Sequence, residues 1–206
     1  MFVPPAFRQH DPAVLDAMLN RAGLAVLVTH GPEGLFASHL PLFRDGELFV
    51  GHLAKANPHR ALEGGGEALV IFPGPHAYVS PGWYPSKAEH GRAVPTWLYE
   101  AVHVYGALSW FDDRDGLLEA VARLSGRHEA GRLEPWSPTD APADYIEALL
   151  RGIVGLRLRP SRIEAKRKLL QTKTGADRAG VLAGLAAEQA AGARELAGLI
   201  AGDPSA

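Results

Sequence analysis

LAVLVTHGPEGLFASHLPLFRDGELFVGHL, residues 24–53, decides the fold class. Three strand-like runs lie within it: LAVLVTH (24–30), LFASHLPLF (35–43) and ELFVGHL (47–53). GPEG (31–34) and RDG (44–46) separate them, and both are glycine-bearing turns of hairpin length. The segment therefore reads as an antiparallel meander. Upstream, Asp11-Pro12 is an N-cap followed by proline at the first helical position, and Gly23 ends that helix. Downstream, Asn57-Pro58 opens a short helix through Leu62 that the glycines at 64–66 terminate.

EALVIF (67–72) and HAYVS (76–80) read as strands on either side of Pro73-Gly74-Pro75, and 81–95 reads as a proline-rich loop. From Thr96 to Phe111 the pattern alternates. Val102, Val104, Leu108 and Trp110 fall on one face, and Trp97, Tyr99, His103 and Tyr105 on the other. Asp112-Asp113 caps a helix carrying Leu117, Leu118, Val121 and Leu124, and a second helix covers about 142–151. IVGLRLR (153–159) and RIEAKRKL (162–169) read as two strands near Pro160. An alanine-rich helix runs from Asp177 to about Ile200. Six or more antiparallel strands with late helices predict a mainly β fold, a barrel with inserted and C-terminal helices. With no repeat and no long linker, residues 1–206 read as a single domain with helix 177–200 as an appendage.

Composition narrows the chemistry. The 206 residues are 47% hydrophobic and 21% charged, with a net charge of −2. No global field draws such a chain to nucleic acid or to an anionic membrane. The absence of cysteine excludes disulfides, thiolate zinc sites, iron–sulfur clusters and a cysteine nucleophile. No apolar stretch approaches the roughly 20 residues of a membrane span, and no signal peptide is evident, so a cytoplasmic protein is expected.

No Walker loop, dinucleotide fingerprint, H-E-x-x-H or G-x-S-x-G is present. The run Phe72–Gly106 concentrates aromatics, histidines and lysine around prolines, a mixture that suits a flat aromatic ligand with a charged tail. In GHLAKANP (51–58), Lys55 beside a helix N-terminus at Asn57-Pro58 makes an anion site; the bland alternative is a strand-to-helix turn with a solvated lysine. SHLP (38–41) places Ser38 and His39 beside His52 across the ladder. WYPSK (83–87) adds Tyr84, Ser86 and Lys87, either a second anion-competent group or an exposed proline turn. The nine histidines show no ligand spacing and no carboxylate cluster, so structural or cofactor-contacting roles are favoured over a metal. RIEAKRKLLQTK (162–173) holds five cations, a solvated face by default, and no helix-turn-helix accompanies it to support DNA contact.

PTWLYEAVHVYG (95–106), FPGPHAYVSPGWYPSK (72–87), GHLAKANP, HLP and RIEAKRKL together resemble the PaiB-type family of FMN-binding negative transcriptional regulators. The resemblance extends from VPPAF near the start to the C-terminal helix. It implies an FMN-binding split β-barrel of the pyridoxamine-phosphate-oxidase kind, a homodimer with FMN at the subunit interface, and a role in repression. By the same resemblance Ser38, His39 and His52 border the flavin ring or ribityl chain, and Lys55 and Asn57 meet the phosphate. Tyr84, Ser86, Lys87, Trp97 and Tyr99 approach from the aromatic loop, in one arrangement from the second subunit. Two departures stand out: Leu98 where the family reads TWNYE, and KLLQTK (168–173) where it reads KLSQNR. Both remove polar groups. A flavin-dependent oxidoreductase using NAD(P)H and a small substrate is the rival reading. A haem-binding barrel with His39, His52 or His103 as axial ligand is a third.

Overall fold

The computed structural model describes residues 1–21, 23–62, 67–173 and 175–203. Its strands are β1 (Arg8–Gln9), β2 (Ala25–Gly31), β3 (Gly34–Leu40), β4 (Leu42–Asp45), β5 (Leu48–Ala54), β6 (Ala68–Val79), β7 (Thr96–Phe111) and β8 (Ile153–Lys168). Its helices are α1 (Pro12–Arg21), α2 (Ser86–His90), α3 (Arg114–Glu129), α4 (Ala143–Leu150), α5 (Gly175–Ala187) and α6 (Ala191–Ala201). The sheet runs β3-β2-β6-β7-β8-β5-β4, with β1 paired to β8. The β1–β8, β2–β3, β2–β6, β4–β5 and β5–β8 pairings are all antiparallel, as the mainly β reading predicts.

Hairpins form where GPEG and RDG stand, with Gly31 opposite Gly34 and Asp45 opposite Leu48. The run 35–43, however, is two strands rather than one. Pro41 has no N–H to add to a ladder, so the chain leaves β2 at Leu40 and pairs with β5 from Leu42. As a result β3 and β4 occupy opposite ends of the strand order. Ser38 and His39 therefore do not face His52 across a ladder, because β3 pairs with β2 whereas β5 pairs with β4 and β8.

Other expected breaks are bridged. Segments 67–72 and 76–80 join as β6, where burial inverts its phase: Ala68, Val70 and Phe72 point inward before Pro73, and Pro75, Ala77 and Val79 after it. Segments 153–159 and 162–169 likewise join as β8 through Pro160. The loop 81–95 contains a 3-10 turn at Pro81–Trp83 and the short α2. The predicted helix 177–200 is two helices, α5 and α6. Glu188 and Gln189 interrupt the apolar stripe between Leu185 and Ala193 at the point where the chain turns. The glycines at 64–66 lie outside the described residues.

The chain forms two compact units, each discontinuous in sequence. The first comprises Met1–Arg21, Pro73–Val102 and Glu164–Ala206, and the second Ala22–Phe72 and His103–Ile163. The divisions fall inside β6, β7 and β8, which is why no linker composition marks them. The first unit's core joins Ala77, Val79, Tyr84 and Leu98 to Leu169, Leu170, Val181, Leu185, Leu196 and Ile200. Glycine at 184 is required there, since a Cβ would stand 2.3 Å from the Trp83 indole. The second unit's core packs Phe43, Val50 and Phe111 under Leu117, Ala120 and Leu124 of α3 and Leu150 of α4. A Cβ at Gly155 would lie 2.1 Å from the Phe111 ring, so that ring rests directly on the β8 backbone.

Within the first unit a buried carboxylate ties four elements together. Glu100 of β7 binds Arg21 of α1, and its Oε1 accepts from Arg167 Nε of β8 at 2.6 Å. Arg167 also reaches Asp203 at 2.7 Å, and Arg21 reaches Glu195 of α6 at 3.3 Å. Removing Glu100 takes a carboxylate from both arginines and leaves the buried Arg167 guanidinium with Asp203 alone. Glu100→Ala is therefore expected to cost about 3–5 kcal/mol in urea unfolding; a loss under about 1 kcal/mol would contradict this.

Burial holds His52 of β5 and His59 of the 57–62 turn below the ordinary imidazole value of 6.5. The unfolded chain takes up these protons near 6.5 while the folded chain resists them. Stability is then complete above pH 6.5 and falls as pH drops from 6.5 toward the two folded values. Ring NMR titration should show both imidazoles still neutral at pH 6.5; half-protonation of either at that pH would overturn the assignment.

Candidate functional site

The second unit brings a chain of polar side chains to the end of β5. Ser38 of β3 stands opposite Leu27 of β2, and Phe36, on the same face two residues earlier, stands opposite Thr29. After Ala54 the strand ends, and Lys55 N–H donates to the Gly152 carbonyl at 2.9 Å. The following turn carries Asn57 to Ser38, where Asn57 Nδ2 donates to Ser38 Oγ at 3.0 Å. Asn57 Oδ1 accepts from the His59 backbone N–H at 3.0 Å. The His59 ring places Nδ1 2.9 Å from Thr29 Oγ1 and meets the Phe36 ring edge-on at 4.6 Å.

These bonds polarise the site. A backbone N–H can only donate, so the Asn57 carboxamide is fixed with oxygen toward His59 and nitrogen toward Ser38. Ser38 Oγ is thereby an acceptor from within the protein, and its own O–H is left to donate outward. The second Nδ2 hydrogen of Asn57 is a further donor. Lys55, half-buried, has no acidic side chain bound to it among the described residues. Three donors, one of them cationic, thus sit on one short segment and the strand beside it. Their preferred ligand is an anion. A pocket of about 370 Å³ is lined by residues 31–36 and Pro58, and none of the three donors is among its lining residues.

The helix N-terminus predicted at Asn57-Pro58 does not contribute in the expected way. The segment Pro58–Leu62 is a five-residue 3-10 turn, too short for a useful macrodipole, so anion affinity rests on side chains. His39 lies on the face of β3 opposite Ser38 and is exposed, as neighbouring strand residues must alternate. His52 sits opposite Gly155, with Nδ1 buried and lacking a hydrogen-bond partner among the described residues. His59, Thr29 and Phe36 are the contributors that sequence patterning misses. Only the H of NPH and the position of Thr29 on the same face as inward Leu27 hint at them.

The remaining predicted residues belong to the first unit. Ser86 donates its hydroxyl to Asp177 at 2.7 Å and its N–H at 3.0 Å, which keeps that carboxyl below its ordinary range. Tyr84 is buried beneath Lys173, whose ammonium lies 4.7 Å from the ring centre; burial, then Asp177, pushes the phenol up. Lys87 is on α2 and has no acidic side chain bound to it among the described residues. Trp97, 52% exposed, flanks Tyr78, 47% exposed, and His76, with ring centres 6.1 and 6.0 Å apart. Tyr99 lies under the Lys166 ammonium at 5.1 Å.

The five cations of 162–173 are engaged within their own units. Arg162 stacks on Tyr105, Lys166 donates to the Phe2 carbonyl, Arg167 binds Glu100 and Asp203, Lys168 donates to Thr96, and Lys173 covers Tyr84. Among the described residues no group of three or more His, Cys, Asp or Glu side chains is arranged to hold a metal ion. No described helix is long and apolar enough to cross a membrane.

Known proteins identify the family and the fold. A family model described as "Putative FMN-binding domain" matches residues 1–162. The Bacillus subtilis (strain 168) protein named "Protease synthase and sporulation protein PAI 2" is 31% identical over 205 residues, covering 97% of this chain and 96% of that protein. Among solved structures, the FAD and heme binding protein from Mycobacterium smegmatis superposes with a TM-score of 0.57 at 18% identity, covering 78% of this chain and 73% of that one. The flavocytochrome Anf3 from Azotobacter vinelandii gives 0.59 at 16% identity, covering 82% and 70%. At these identities the structures speak to the fold alone, a split barrel. With the family model and a relative matched nearly end to end, the chain belongs to the PaiB-type FMN-binding family.

Proposed function

We propose that the Ser38, Lys55 and Asn57 cluster holds the phosphate of FMN, and that the protein acts as a homodimeric flavin-dependent regulator in the cytoplasm. The single observation that carries the phosphate assignment is the polarity of the cluster. The Asn57 carboxamide is locked so that every free group presents a proton, and a phosphate monoester is the part of FMN that accepts from all of them. Bound FMN supplies a flat, redox-active ring; this chain's residues bind it and fix its orientation.

The homodimer is supported by the exposed aromatic face of Tyr78 and Trp97, which a second copy would cover. The regulatory role follows the Bacillus subtilis relative's name. Because the cations of 162–173 are engaged internally, that role is assigned to the flavin-bound protein or its partners rather than to DNA contact by this stretch.

Adding FMN to purified protein should give a shifted flavin absorption spectrum and quenched flavin fluorescence. Lys55→Ala should weaken FMN on the order of tenfold, the scale of one charge-assisted hydrogen bond. Riboflavin, lacking the phosphate, should change far less. Equal weakening of both ligands would remove Lys55 from the phosphate site.

A further inference from the structure

We propose that His59 is a positioning residue for the phosphate-binding donors, anchored through Thr29; this rests on the reading of Ser38, Lys55 and Asn57 as the FMN phosphate site. The donor property of Ser38 is not intrinsic, because a serine hydroxyl donates or accepts with equal ease. It follows from Asn57 presenting nitrogen, which in turn follows from the His59 N–H presenting itself to Asn57 Oδ1. That N–H stays in place because the His59 side chain, 0% exposed, is clamped on two sides. Thr29 of β2 holds Nδ1 at 2.9 Å and Phe36 of β3 closes on the ring. One imidazole therefore ties both strands of the β2–β3 hairpin to the turn after β5.

The ring's tautomer is set by the same surroundings. Nε2 is buried and has no hydrogen-bond partner among the described residues. An unmet N–H donor is costlier than an unmet lone pair, so the proton belongs on Nδ1, donating to Thr29. His59 thus touches neither ligand nor ligand-binding atom with its ring. It acts through its backbone, and the ring only keeps that backbone still.

The test uses Thr29→Val, which keeps the side-chain shape and removes the hydroxyl, so the fold is spared the cavity that a change at His59 would open. Titrating FMN and riboflavin separately, Thr29→Val should weaken FMN roughly fivefold, one hydrogen bond's worth, and riboflavin by less than about twofold. Thr29→Ser should restore FMN affinity. In an Asn57→Ala background Thr29→Val should add nothing, because His59 acts on the donors only through the Asn57 carboxamide. Equal loss of FMN and riboflavin, or multiplying effects in the Asn57→Ala background, would overturn the proposal and leave His59 a core residue. A wild-type protein that binds no FMN would sink the phosphate reading alone. Hydrogen exchange of the Asn57 carboxamide in ligand-free protein would then decide: faster exchange in Thr29→Val sustains the positioning role, and unchanged exchange ends it.

Discussion

A missing N–H at Pro41 governs the layout of the sheet. Without that donor the strand begun at Gly34 cannot continue alongside β2, and the next residue capable of pairing, Leu42, finds β5 instead. The step separates β3 from β4 by the whole strand order, so the meander is split between the sheet's two ends. It also leaves Ser38 within reach of the turn after β5 through side chains rather than through a ladder, as the Asn57 bond records. A functional contact made this way depends on turn geometry, and turn geometry depends on what anchors the turn.

That dependence explains why a buried histidine matters more here than the exposed ones. His39 was attractive in sequence because it neighbours Ser38, but strand alternation sends it to the opposite face. His59 drew no role from its position in NPH, yet its burial between Thr29 and Phe36 sets the direction of two hydrogen bonds downstream. Charge alone would have selected Lys55 as the whole of the site. The polarity of Asn57 adds direction to that charge, and direction distinguishes a bound phosphate from a loosely held counter-ion.

Much of the fold was legible because its signals are local. Asp11-Pro12 and Asp113 cap the helices they were read to cap, and the 96–111 strand shows inward Leu98, Glu100, Val102 and Val104 against outward Trp97, Tyr99 and His103. Proline and alanine composition mislead where tertiary context decides. Pro73 and Pro160 were read as breaks, yet both are absorbed inside long strands, whereas Pro41 was read through and does break its strand. Proline forbids one hydrogen bond, and whether a neighbour needed that bond is a tertiary fact. The alanine-rich tail was read as one helix because propensity was uniform, but burial of Leu185 and Leu196 in one core required it to turn. Of the site, lysine, asparagine and serine were legible as types; the clamp that orients them was not, since it joins residues 29, 36, 38, 57 and 59 across three segments.

The two departures from the family pattern gain a physical meaning from the first unit's core. Leu98 and Leu170 are both buried in the cluster that also receives Val181 and Leu185 of α5 and Leu196 and Ile200 of α6. Apolar residues at both positions add no buried hydrogen-bonding group that the cluster would have to satisfy. Tyr84, in the same cluster, is roofed by Lys173, and Ser86 nearby is committed to Asp177. Tyr84 and Ser86, which the resemblance assigns to a flavin, also help to seat the C-terminal helices. In the second unit, Lys55 has no acidic side chain bound to it among the described residues, and Ser38 and Asn57 bond to each other at 3.0 Å.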